Sequence, residues 1–89
     1  MTMQDKMAAL LESLSPEVFE FQDDSHLHAG HAGNKGGGHY SILVVSSAFE
    51  GLSRIMRQRK VNEALQPLFS DGLIHALSVR AQTPEEFFN

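Results

Sequence analysis

Five histidines, His26, His28, His31, His39 and His75, stand in a chain of 89 residues that has no cysteine. A neutral imidazole is a good ligand for zinc, copper or iron, with one ring nitrogen on the metal and the other fixed by a hydrogen bond. His26, His28 and His31 crowd one short segment, and His39 opens the apolar run that follows it. His75 stands far along the chain, in the same alternation as Leu73, Leu77 and Val79. A ligand on a rigid strand paired with one on an adaptable loop makes physical sense, because the strand sets the position and the loop conforms to it. Spacing alone leaves blander readings open. His75 reads equally as an ordinary packed strand histidine. The pairs His26/His28 and His28/His31 read as a solvated loop with incidental affinity for stray divalent ions.

Other chemistry is thin. Asp23 and Asp24 form a carboxylate pair, but no nucleophile or general base stands beside them, and Ser25 next to His26 is no triad. Gly33-Asn34-Lys35-Gly36 has the GxxG form that clamps a nucleotide backbone, but between two strands and not between helices. No Walker or dinucleotide fingerprint occurs. Arg54, Arg57, Arg59 and Lys60 place four of the seven cationic residues within one short stretch. Such a cluster suits a phosphate backbone or an acidic protein partner, or serves as a solvated helix surface.

The elements that must position these residues follow from periodicity. Met3, Met7, Leu10, Leu11 and Leu14 form one helical stripe, with Thr2 and Asp5 as the capping pair and Pro16 beyond the end. Residues 18–22 read as a strand, and so do residues 39–46, with Tyr40, Ile42 and Val44 on one face and Leu43 and Val45 on the other. Apolar on both sides, this second strand belongs at the sheet's centre. Between the two, residues 24–38 hold too little apolar surface to offset their ordering entropy, which predicts a mobile Gly/His-rich loop. Residues 52–69 read as helical, with Ser53 as the cap. Their apolar stripe changes side, from Leu52, Ile55 and Met56 to Val61, Leu65, Leu68 and Phe69. This is read as two helices meeting near residues 57–60, in preference to one helix buried on opposite sides at its two ends. Asp71-Gly72 marks a turn, residues 73–79 a third strand, and Thr83-Pro84-Glu85-Glu86 the start of a short last helix. A helical crossover should return the third strand parallel to the second.

The length suits a single small domain spanning residues 1–89, and excludes a large barrel or a doubly wound sheet. The longest apolar run, residues 42–45, is far below the ~20 residues of a membrane helix. The first residues lack the basic and apolar regions of a secretory signal. A formal net charge of -4 argues against a polyanion binder as a whole. The expectation is a soluble, cytoplasmic chain that is monomeric or weakly dimeric.

Several short motifs recur in series. Residues 15–21, Ser-Pro-Glu-Val-Phe-Glu-Phe, lead into Asp23-Asp24-Ser25 and His28. His39-Tyr40-Ser41-Ile42-Leu43-Val44-Val45-Ser46 precedes Phe49-Glu50-Gly51. Arg57-Gln58-Arg59-Lys60-Val61-Asn62, then His75-Ala76-Leu77-Ser78 and Thr83-Pro84-Glu85-Glu86-Phe87 complete the series. In this order the chain resembles the BolA family over nearly its whole length. Two positions depart from the family pattern. Gln58 stands where Arg-His-Arg is usual, and Phe87 stands where tryptophan is usual.

The resemblance implies a small α/β domain of the class II KH-like kind, ordered α-β-β-α-(α)-β-α, with a three-stranded mixed sheet and helices on one face. It implies a binding partner and not an enzyme. BolA-like proteins pair with monothiol glutaredoxins and share a [2Fe–2S] cluster, held on the far side by the glutaredoxin cysteine and glutathione. Carried onto this chain, His75 of His-Ala-Leu is one ligand. His28 is the matching loop ligand, with His39 as the alternative and His26 and His31 less well placed. Without cysteine, this side of the cluster would be all imidazole, as on one iron of Rieske centres. Ligation needs neutral rings, so cluster retention is expected to weaken as pH falls toward about 6. The rival expectation is a DNA-binding transcriptional regulator using the basic helix of Arg54, Arg57, Arg59 and Lys60.

Overall fold

Helix α1 (Met3–Leu11) starts at a reciprocal cap. Thr2 Oγ1 accepts from the Asp5 N–H at 3.1 Å, and Asp5 Oδ2 accepts from the Thr2 N–H at 3.2 Å. These bonds to Thr2 hold the Asp5 carboxyl below its ordinary value. A 3₁₀ turn (Glu12–Leu14) continues the helix, and Ser15, at φ 47°, reverses the chain before Pro16. Met7, Leu11 and Leu14 are buried, as the stripe predicts. The computed structural model describes residues 1–25 and 37–89. Most of the predicted mobile loop, with His26, His28, His31 and the Gly33–Gly36 motif, lies outside the described residues.

The sheet holds β1 (Val18–Asp23), β2 (Gly38–Val45) and β3 (Ile74–Gln82), in the order β1-β2-β3. β1 runs antiparallel to β2, and β3 runs parallel to it, as expected of a hairpin followed by a helical crossover. The third strand runs three residues past its predicted end. Ala81 still packs toward the core, while Arg80 on the opposite face is exposed. A strand with one solvated face needs apolar residues only at alternate positions.

After β2, Ser46 and a 3₁₀ turn (Ser47–Phe49) carry the chain to α2 (Arg54–Ala64). Ser53 caps α2 by accepting from the Met56 N–H at 3.2 Å. The predicted break near residues 57–60 is corrected: α2 is continuous there and ends at Leu65, where α3 (Gln66–Ser70) begins. Ile55 and Met56, taken as a buried stripe, are 68% and 46% exposed. Pro67 decides the real break, since it has no N–H to give the preceding turn and is tolerated only in the first turn of a new helix. Gly72, at φ 73°, turns the chain into β3. Helix α4 (Pro84–Phe88) closes the described fold with the predicted Thr83 cap.

The core lies between one face of the sheet and the helices. Ile42 and Val44 of β2 meet Met7, Leu11, Phe49, Val61, Leu65 and Leu68. Ser46 is fully buried, and its hydroxyl donates to the Leu14 carbonyl while accepting from the Ala48 N–H. It ties the end of α1 to the end of the central strand. Ser46→Ala strands a buried acceptor and donor, so a loss of about 1–3 kcal/mol is expected. A urea midpoint that does not move would refute this.

Candidate metal-ligating site

The register of β2 against β3 slips once. Gly38 pairs with Ile74 but His39 pairs with Ala76, so His75 is an extra residue in β3. The slip changes which residues face the core. Ile74 is buried there, and Leu77, Val79 and Ala81 pack there, a spacing of three that regular alternation does not allow. His75 therefore does not share the row of Leu77 and Val79, as simple alternation predicted. It is exposed on the opposite face. His39, alternating with the inward Tyr40, lies on that same face. The two rings stand with centroids 5.0 Å apart, tilted by 43°.

The surroundings hold this pair in place. Gly37 has φ 76°, and a Cβ on it would lie 3.0 Å from the Gly72 carbonyl oxygen and 3.2 Å from the His75 Cβ. Only glycine lets the chain pass so close to the start of β3. On the β1 side, the His39 carbonyl accepts from the Asp24 N–H at 2.7 Å. The His39 N–H in turn donates to Ser25 Oγ at 3.1 Å. Asp24 also accepts from the Ser41 hydroxyl and, at 2.8 Å, from Gln22 Nε2, while Asp23 accepts from the Ser25 N–H. The two aspartates, a carboxylate pair with no nucleophile or general base beside it in the sequence, bind the root of the β1–β2 connection together. Burial, and then the Asp23 charge, push the Tyr40 phenol up, against a hydrogen bond from Ser25.

Among the described residues, no three His, Cys, Asp or Glu side chains converge on one point. His39 and His75 by themselves therefore make no complete metal site among the described residues. His28, expected as the loop ligand with His39 only as its alternative, lies outside the described residues. The pair was missed as a pair from sequence because the extra residue was not counted. The signal available was Ile74 standing three places before Leu77, both apolar.

The basic cluster does not form one stripe. At about 100° per residue, Arg54, Arg57, Arg59 and Lys60 spread around α2. Arg57 turns inward, donating from Nε to the Leu52 carbonyl at 3.0 Å and from Nη1 to the Ala81 carbonyl at 3.0 Å. It also forms a two-point bond with Glu86, at 2.7 and 3.2 Å. Arg54, Arg59 and Lys60 are exposed. Sequence reasoning missed Glu86 as a partner, because the two lie far apart in the chain.

The Arg57 guanidinium, and after it the Thr83 N–H, hold the Glu86 carboxyl down to about 2 from its ordinary 4.5. The unfolded chain then binds the proton more readily, so this contribution to stability is complete above about 4.5 and is lost as pH falls toward 2. Thermal unfolding over that acid range should show a weaker pH dependence in Glu86→Gln than in the native chain. Equal slopes would refute the assignment.

The described residues form a small α/β domain whose sheet carries two neighbouring imidazoles on the face opposite the helices. The class is recognisable in known proteins. The family described as BolA-like protein matches residues 10–86, and the chain belongs to the BolA family. BolA-like protein 1 of Mus musculus is 44% identical over 80 residues, covering 90% of this chain and 56% of its own length. An uncharacterized Sinorhizobium protein is 41% identical, covering 86% of this chain and 85% of its own. Among solved structures, the BolA domain of SufE1 from Arabidopsis thaliana superposes with a TM-score of 0.81 at 37% identity, covering 97% of this chain and 96% of its own. No helix among the described residues is long and apolar enough to cross a membrane.

Proposed function

We propose that this chain is a histidine-supplying partner in iron–sulfur chemistry. It docks on a monothiol glutaredoxin that carries a [2Fe–2S] cluster with glutathione, and it adds His75 and one further histidine to the ligand set. The observation that carries this reading is the register slip, which turns His75 out of the core face and sets it beside His39. The two imidazoles lie side by side on one sheet face, His75 exposed and His39 half-buried. With no third donor beside them among the described residues, they suit a shared site better than a self-sufficient one. Of the two candidates for the second ligand, His39 has described geometry behind it, and His28 has the family pattern. When bound, the cluster supplies a transferable iron–sulfur unit, in delivery or in iron sensing. The residues of this chain supply two nitrogens and hold them on neighbouring strands, on the face that a second protein would meet. No catalytic step is assigned.

Family membership supports the reading, as does the engagement of Arg57 with Glu86, which takes one cation out of any phosphate-binding surface. Co-expression with a monothiol glutaredoxin tests it. The expected result is a coloured heterodimer, whereas two colourless proteins that do not copurify would overturn the reading. Titration against duplex DNA at about 150 mM salt separates the rival, since phosphate binding alone falls steeply with salt and shows no sequence preference.

A further inference from the structure

The face that carries His39 and His75 has a second property, an antisymmetric charge pattern. The register sets Glu20, Leu43 and Arg80 side by side across β1, β2 and β3, and the two charged residues are exposed. The next row, Gln22, Ser41 and Ser78, is polar and uncharged. Consider two copies packed face to face about a two-fold axis parallel to β2. That axis carries β1 of one copy over β3 of the other. Glu20 of each copy then meets Arg80 of the other, on either side of Leu43, which is only 7% exposed. An axis perpendicular to the strands would instead bring like charges together.

The same axis keeps the histidine ends of both sheets together. Two pairs of imidazoles, each with ring centroids 5.0 Å apart, come to one end of the interface. Zn²⁺ takes four such nitrogens in a tetrahedron, at bonds of about 2.0–2.1 Å. We propose that this sheet face is a zinc-dependent homodimer interface, in which His39 and His75 of two copies hold one Zn²⁺ between them. Exposed ion pairs contribute little, and the polar row adds no hydrophobic drive, so the ion decides whether two copies stay together. The inference uses the histidines of the proposed cluster site but does not depend on a glutaredoxin. A zinc dimer and a cluster-bearing partner would exclude each other.

The test is light scattering of the full chain with Zn²⁺ alone as the probe. One ion per two chains should double the 9.8 kDa mass, and a chelator should reverse it. His75→Ala and His39→Ala should each lose the doubling. Glu20→Arg alone and Arg80→Glu alone should weaken it, and the two together should restore it, because the cross pairs are re-formed with signs exchanged. A variant lacking His26, His28 and His31 should still dimerise. One zinc bound per unchanged monomer would overturn the proposal. So would a doubling that survives His75→Ala, one lost with the three loop histidines, or charge reversals that do not rescue each other. Failure here leaves the glutaredoxin reading standing, since that is read from the colour of a heterodimer.

Discussion

In a mixture with cluster-loaded monothiol glutaredoxin, the His75→Ala chain is expected to lose the visible spectrum of the mixed complex and leave only that of the glutaredoxin. His75 is exposed, and its neighbours Ile74 and Leu77 carry the packing of the strand. Removing its ring should therefore change stability by no more than about 0.5 kcal/mol, as for surface substitutions generally. Loss of a group that merely orients a ligand lowers metal affinity about 10–100-fold, so loss of the ligand itself should exceed that. Visible absorption and circular dichroism of the mixture report the change, and an unaltered thermal midpoint shows that the fold is intact. An unaltered spectrum would remove His75 from the site. His28→Ala and His39→Ala, compared in the same assay, assign the second ligand to whichever variant alters the spectrum.

Phe49→Ala should come close to unfolding the chain. Phe49 has no exposed surface, and its N–H donates to the Ser46 carbonyl at 3.2 Å. Ser46 is in turn bonded through its N–H to the Gln82 carbonyl at 3.0 Å, so the ring sits where the ends of β2, β3 and the lead into α2 meet. Truncating a buried phenylalanine costs about 3–5 kcal/mol, the lost burial plus the cavity left behind. A chain of 89 residues has only about 4–13 kcal/mol to lose. Urea denaturation should show the midpoint falling by about a quarter or more. A loss below about 1 kcal/mol would mean that the neighbours close the cavity.

Where the sequence was legible, the physics was local. The caps at Thr2, Ser53 and Thr83 are each made by a side chain reaching a backbone N–H three residues on, so their spacing is visible in the chain itself. The two faces of β2 follow from alternation, and so does its central place in the sheet. The rest depended on tertiary facts. Ile55 and Met56 looked like half of a buried stripe, but nothing in composition says that the start of α2 overhangs solvent. Arg57 looked like one of four equivalent cations until the fold brought Glu86 to it. His75 and Leu77 share an alternation on paper, and only pairing with β2 shows that the period of two is interrupted between Ile74 and Leu77. The site was legible as residue types and not as a direction.

That interruption has a consequence for how this stretch can vary through descent. Because the placement of the His75 ring beside His39 is set by the number of residues between Ile74 and Leu77, aliphatic exchanges farther along β3 leave it undisturbed. Deleting Ala76 would restore plain alternation and set His75 directly opposite His39, still outward but moved along the strand. A change of length between Ile74 and Leu77 should therefore disturb the histidine pair more than most exchanges of one side chain for another.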